Sequence, residues 1–343
     1  MLGKIKLGIS IGDPNGIGVE IILKTFEDSR LFEFFTPLIF APIKLLENQK
    51  KHFQLNSSLV LKKNNQKFQK AQLSVFDLPM PDQAKLIFGE VSKKAGKLAF
   101  ESLKSATMAL KKGEIDVLVT APINKETIQS EDFNFPGHTD YLAKELEGNS
   151  LMFMVSESLK VALVSDHIAV KDISGLLTTE LLREKIQQLE GSLKKDFNIS
   201  RPKIAVLGLN PHTGDKGVIG KEDDEITRPL IQELSASGHL VYGPYPADSF
   251  FGNQTHLQFD VILAIYHDQG LIPFKTLTFG AGVNFTAGLN KIRTSPDHGT
   301  AFEIAGKGIA ETESFRNAMF LARNIYFNRK EKKPHTDENK GEK

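Results

Sequence analysis

Short apolar runs alternate with longer segments of helical period through most of the 343-residue chain, and few folds accommodate that rhythm. An apolar run at 5–11 leads into an amphipathic stretch at 17–26, and a second at 37–41 into one at 43–53. Residues 91–112 (VSKKAGKLAFESLKSATMALKK) form the clearest helix, with apolar side chains at three- and four-residue steps and Lys111 and Lys112 closing it before Gly113. Strand candidates follow at 116–120, 151–155, 160–164, 203–207 and 260–265, with helical segments at 178–197 and 222–237 between some of them. Strands that alternate with helices imply a mostly parallel sheet with helices on its faces, so the expected class is α/β. At about 100–200 residues per domain, the length has room for two lobes.

Composition narrows the function. Lys and Arg number 43 against 42 Asp and Glu, a formal charge of +1, which argues against nucleic acid or an anionic membrane as the main partner. With no cysteine, disulfides, thiolate metal sites and a cysteine nucleophile are all excluded. No stretch reaches the roughly 18 apolar residues of a membrane span. The opening MLGKIKLGIS runs into a strand pattern without the apolar core of a secretion signal, so a cytoplasmic protein is expected. After Phe327 almost no apolar side chain remains, and 328–343 reads as a solvated tail.

Three strand candidates end in histidine: KVALVSD at His167, KIAVLGLNP at His212 and DVILAIY at His267. If those strands are neighbours, their carboxyl ends bring three imidazoles together, a donor set for zinc or another divalent cation. The plainer alternative is that each histidine hydrogen-bonds within an ordinary loop. Asp166 and Asp268 stand beside two of them as orienting carboxylates or bases. The glycines of 12–18 (GDPNGIG) match neither dinucleotide nor Walker spacing and read first as a tight strand-to-helix turn. In FPGHT (135–139), His138 and Thr139 open a helix, where they either face an anion or cap the helix. Lys275, Asn284 and Arg293 recur at nine-residue intervals in a glycine-rich region suited to an anionic substrate. The run 221–225 (KEDDE) reads as the solvated first turn of a helix.

Seven segments in order carry a resemblance: GDPNGIGVE (12–20), TAPINKE (120–126), FPGHTDYLA (135–143), SDHIAVKDI (165–173), LGLNPHTGD (207–215), GPYPADSFF (243–251) and YHDQGLIPFKTL (266–277). Up to about Tyr326 the chain resembles the 4-hydroxythreonine-4-phosphate dehydrogenase family of pyridoxal phosphate biosynthesis. Asn15 and Val19 depart from that family's GDPAGIGPE, while LNPHTGD and GHTDYLA replace its LNPHAGE and GHTEFLA.

The resemblance implies a divalent metal (zinc, magnesium or cobalt) on His167, His212 and His267, in a site shared across a homodimer. It implies substrate contacts from His138, Thr139, Lys275, Asn284 and Arg293. The segment 297–307 (DHGTAFEIAGK) is similar to the loop that contacts the adenosine of NAD in isocitrate and isopropylmalate dehydrogenases. That likeness assigns Asp297, His298, Gly299, Thr300, Ala301 and Gly306 to NAD, with NADP as the variant. The fold it implies is isocitrate/isopropylmalate dehydrogenase-like, with residues 1–130 plus 290–327 in one lobe, 131–289 in the other and the active-site cleft between them. The implied reaction is oxidation and decarboxylation of 4-phosphooxy-L-threonine, with Asp248 and Asp268 as candidate bases. The alternatives are the same chemistry on D-erythronate or D-threonate 4-phosphate, a metal-dependent hydrolase or aldolase without NAD, and a non-catalytic phosphate binder.

Overall fold

In a computed structural model that describes residues 3–62, 71–80 and 87–331, the strands form one twelve-stranded sheet. They are β1 (Ile5–Ser10), β2 (Phe35–Ala41), β3 (Leu59–Leu61), β4 (Leu73–Asp77), β5 (Val117–Thr120), β6 (Gly148–Val155), β7 (Lys160–Leu163), β8 (Ile204–Leu207), β9 (Val241–Tyr245), β10 (Val261–Ala264), β11 (Val283–Leu289) and β12 (Arg293–Pro296). Their order across the sheet is β3-β4-β2-β1-β5-β12-β11-β6-β7-β10-β8-β9. Pairing is parallel except at the centre, where β12 meets β11, β11 meets β6 and β6 meets β7 antiparallel. These three reversals make β7, β10, β8 and β9 run opposite to β1 through β5.

Both faces are covered, as the continuous apolar runs require. In the first half, Leu7, Ile9, Ile39 and Val119 share a core with Ile22 and Phe315, while Leu38, Phe40 and Leu118 pack with Leu103 and Leu110 of the helix Lys93–Lys111. In the second half, Val206 and Leu263 meet Ile186 and Leu189 of the helix Thr179–Asp196. The Thr178 hydroxyl accepts from Leu181 N at 3.1 Å and caps that helix. The α/β class and the helix-flanked, mostly parallel sheet are as the sequence pattern predicts.

Two expectations need correction. The segment 222–237 opens with a π-helical turn, Asp223–Thr227, before the helix Arg228–Ala236. Asp223 there is fully buried, so 221–225 is not a solvated turn throughout. At the other end, the helix Glu313–Glu331 carries residues 328–331 of the expected tail. Asn328 Nδ2 donates to Asp196 O at 2.7 Å and Arg329 Nε to Asp196 Oδ1 at 2.6 Å, so these polar residues are ordered by a buried acid rather than by apolar packing. Residues 332–343 lie outside the described residues.

Candidate active site

A cavity of about 220 Å³ lies over the centre of the sheet, where the strand direction reverses. The period of two along a strand puts Met152 and Met154 of β6, Asn284 of β11, and Arg293 and Ser295 of β12 on its floor. Asn284 stands in register opposite both Met154 and Ser295. Four-residue strands are only about 13 Å long, so loops from opposite ends reach the same cavity. From one side come Thr120, Lys125 and the segment Asp297 to Gly299; from the other come His167 and the helix His267–Thr278. Along that helix His267, Leu271 and Lys275 recur every four residues and face the cavity together.

Arg293 is 1% exposed. Its Nε and Nη2 donate to Thr120 Oγ1 at 3.0 and 2.6 Å, and its Nη1 to Thr286 Oγ1 at 3.1 Å. It has no carboxylate within ion-pair distance among the described residues, and burial pushes the guanidinium down to about 9. An anion at the cavity floor relieves that isolated charge. The His138 Nε2 is buried without a hydrogen-bond partner. Burial, followed by the nearby charges of Arg293 and Lys125, holds the ring well below the usual histidine range, so it is neutral at pH 7. Asn284 Oδ1 is likewise buried and unbonded. The helix His138–Glu145 starts after Gly137 with no side-chain cap, and its first turn, with Thr139 buried, lines the cavity. The helix start thus faces the cavity, as the anion alternative requires, and the Thr or Asp cap is absent. The lining carries Lys125, Lys275 and Arg293 against one carboxylate, Asp297, whose acid form burial favours.

The three strands ending in histidine are adjacent and parallel, in the order β7-β10-β8. The His167 and His267 rings lie 6.1 Å apart. His267 Nδ1 bonds Asp268 Oδ1 at 2.7 Å, and His167 Nδ1 is 3.7 Å from Asp166 Oδ2. A carboxylate behind Nδ1 leaves Nε2 of each ring to face a ligand, which suits these two imidazoles as part of the ligand set of a divalent cation. His167 Nε2 lies 3.3 Å from Lys125 Nζ. His212 is exposed and does not line the cavity, and among the described residues no three His, Asp or Glu side chains stand close enough to hold a metal ion.

Asp297, His298 and Gly299 line the cavity, and the rest of their segment is tied to the N-terminal half of the sheet. Thr300 O accepts from Ile17 N at 3.1 Å, and a Cβ on Gly16 would come within 2.7 Å of the same oxygen. Ala301 has a φ of 45°, while Gly306, at 79°, rests on the Phe88 ring and its carbonyl contacts His52 Nε2 at 2.8 Å. In the 12–18 loop Asp13 N donates to Pro122 O, Gly16 N to Asp13 O and Ile17 N to Thr300 O, so these amides are spent within the protein, as in a tight turn.

Of the aspartates considered as bases, Asp268 is exposed and holds His267, while Asp248 is exposed on the helix Ala247–Gly252; neither lines the cavity. Lys125, Thr120 and Ser295 are lining residues to which the sequence reading gave no role. Lys125 and Thr120 lie inside the quoted segment TAPINKE, and the last position of a parallel strand was the available signal.

The family model for pyridoxal phosphate biosynthetic protein PdxA matches residues 33–322. A 4-hydroxythreonine-4-phosphate dehydrogenase of Bacteroides thetaiotaomicron is 46% identical over 332 residues, covering 96% of this chain and 91% of its own. A D-threonate 4-phosphate dehydrogenase of Salmonella typhimurium is 38% identical, covering 92% of this chain and 97% of its own. The crystal structure of a 4-hydroxythreonine-4-phosphate dehydrogenase from Klebsiella pneumoniae superposes with a TM-score of 0.80 at 35% identity, covering 95% of this chain and 98% of that one.

Proposed function

The chain belongs to the family of pyridoxal phosphate biosynthetic protein PdxA, and from that membership we propose that it oxidises and decarboxylates 4-phosphooxy-L-threonine to 3-amino-2-oxopropyl phosphate and CO₂, reducing NAD⁺. The observation that carries this reading is the charge of the cavity: Lys125, Lys275 and a fully buried Arg293 against Asp297 alone. Such a lining favours a small substrate bearing both a phosphate and a carboxylate.

Arg293, Lys275 and Thr139 hold the phosphate, with the uncapped start of the helix His138–Glu145 adding its favourable dipole. His138, neutral at pH 7, offers Nε2 as donor or acceptor according to its tautomer, and Asn284 Oδ1 accepts from a substrate hydroxyl or amine. Lys125 balances the carboxylate until it leaves as CO₂. His167 and His267 would hold the divalent cation, with His212 as third ligand only in a site shared across the homodimer, because within one chain it lies outside the cavity; Asp268 orients His267 rather than serving as base. The segment from Asp297 to Gly306 receives NAD, with NADP as the variant. When bound, NAD supplies the hydride acceptor and the cation supplies Lewis acidity at the C3 oxygen. Fixing the two anionic ends sets C3 towards the nicotinamide. In this reading, residues 1–130 with 290–327 form one lobe, 131–289 form the other, and the protein is a cytoplasmic homodimer that shares its sites.

D-Threonate 4-phosphate is the second reading, favoured by the Salmonella typhimurium relative and by a lining that carries one carboxylate, Asp297, against three cationic side chains. NADH absorbance with both phosphorylated acids, with and without chelator, separates the two. Higher kcat/KM on the amine-free acid would install the second reading, and turnover indifferent to chelator would remove the metal.

A further inference from the structure

A second cavity, of about 310 Å³, opens between the helix Ile43–His52 and the loops at 12–15 and 87–90. Leu45, Gln49 and His52 share one face of that helix at four- and three-residue steps, and Pro14, Met80 and Phe88 stand across from them. No Lys, Arg, Asp or Glu lines it among the described residues, so it suits an uncharged group. Gln49 is 5% exposed. Its Nε2 donates to Pro14 O at 2.9 Å, and its Oε1 is buried without a hydrogen-bond partner. Only the amide N–H can pair with that carbonyl, so the side chain cannot turn round and the atom left open is an acceptor. A buried acceptor left unpaired is costly, and a ligand N–H removes the cost. The same cavity has an aromatic wall, with the Phe88 ring 4.8 Å from that of His52 and 5.6 Å from that of Phe53. Asn15 fastens this wall. Its Oδ1 accepts from Ile87 N at 3.0 Å, its Nδ2 donates to Glu90 O at 2.8 Å and its carbonyl accepts from Gly89 N at 2.8 Å, bracketing Phe88. The alanine of the family pattern GDPAGIGPE could make neither side-chain bond, so this fastening belongs to the present chain. The wall also meets the 297–307 segment, since a Cβ on Gly306 would come within 2.7 Å of the Phe88 ring and His52 Nε2 donates to Gly306 O. One end of that segment, Asp297 to Gly299, lines the substrate cavity, and the other borders this one.

We propose that the second cavity takes an adenine ring, its exocyclic amino group donating to Gln49 Oε1 and its face lying on Phe88, which Asn15 positions. Adenine combines what the walls select: it is planar, uncharged and edged with an N–H donor. The dinucleotide whose nicotinamide lies in the substrate cavity supplies that ring, an assignment that rests on the reading of 297–306 as the NAD segment. A free adenine nucleotide is the other source of the same ring.

The test measures, by calorimetry on the full-length protein, the binding of NAD⁺, of its hypoxanthine analogue and of AMP. The analogue presents a carbonyl where adenine has the amino group, setting acceptor against acceptor at Gln49. Wild type should prefer NAD⁺ by about 10-fold or more, and AMP should compete with it. Gln49→Met should reduce that preference to about twofold or less, a ratio that a general loosening leaves alone because both dinucleotides feel it. Asn15→Ala should weaken both dinucleotides several-fold and keep the ratio, with stabilisation by inorganic phosphate unchanged. Unchanged affinity in Asn15→Ala would overturn the part given to Asn15. Equal affinity of the wild type for the two dinucleotides, which needs no variant, would overturn the inference and leave the NAD reading intact, as would an undiminished preference in Gln49→Met. Binding of AMP but not of NAD⁺, lost in Gln49→Met, would keep the adenine site and remove the cofactor from 297–306. Binding of neither would overturn both.

Discussion

Arg293 lies under the cavity with its guanidinium bonded to the hydroxyls of Thr120 and Thr286. A hydroxyl solvates a cation but does not neutralise it, so the apo fold bears a desolvation cost that an anion removes. Inorganic phosphate should therefore raise the wild-type melting temperature, by about 2.7 kcal/mol of stability at a hundred times its Kd. Arg293→Met should abolish that response and lower kcat/KM about 10²-fold, chiefly through KM. An unchanged phosphate response in the variant would remove Arg293 from the anion site. His138 makes a separate pH prediction. Its folded pKa lies below the unfolded value of about 6.5, so the unfolded chain binds the proton first as pH falls. Stability from this group is complete above about 6.5 and declines on acidification, by up to about 1.4 kcal/mol per pH unit. His138→Gln should flatten that part of the urea-denaturation pH profile, and an unaltered slope would mean that the ring is solvated. Both residues were named from the sequence, but their states were not legible there. Isolation from carboxylates and from water is a property of the packed cavity, and no spacing encodes it.

Elements were legible in proportion to how apolar they are. The helix Lys93–Lys111 and strands β1, β5, β8 and β10 stand out because both faces of the sheet are buried. Strand β12 (RTSP) does not, although it is central. Arg293 and Ser295 face the cavity and the Thr294 hydroxyl donates to Ala318 O, so no hydrophobic period survives. Pro273 masks the helix His267–Thr278 in the same way. The strand-end argument requires β7, β10 and β8 to be neighbours, as they are, yet it also assumes loops of equal reach. His167 and His267 come four and three residues after their strands, whereas His212 comes five after, beyond Asn210 and Pro211. Two contacts between elements give further tests. Gly16→Ala sets a methyl against Thr300 O, a backbone atom that yields only if the 297–301 segment shifts. It should raise the KM for NAD several-fold while leaving phosphate stabilisation intact, and an unchanged KM would detach that segment from the cofactor. At the end of the helix Glu313–Glu331, Arg329 is 11% exposed and its partner Asp196 only 1%. Arg329→Met removes the acid's ion-pair partner, leaving it the Ser192 hydroxyl, and should cost about 3 kcal/mol in urea denaturation with kcat unaffected.

At the scale of the molecule, the alternation of strands and helices predicts the class of fold, and the seven ordered motifs predict the family. The reversal of strand direction at the centre was not legible, because pairing partners come from distant parts of the chain. Leu118 of β5 pairs with Arg293 of β12, across half the sequence. That pairing bears on how the protein is made. When β5 leaves the ribosome, its neighbour on the outer side, β1, has already been synthesised, while the other edge faces an absent strand. At about 5–20 residues per second, roughly 9–35 s of translation separate the two partners. Throughout that interval the growing chain presents Leu118 and Val119 along an unpaired edge, the surface on which strands of other chains add. The nascent protein thus carries an open edge from the middle of its synthesis, and the strand that covers it brings Arg293, which completes the cavity floor.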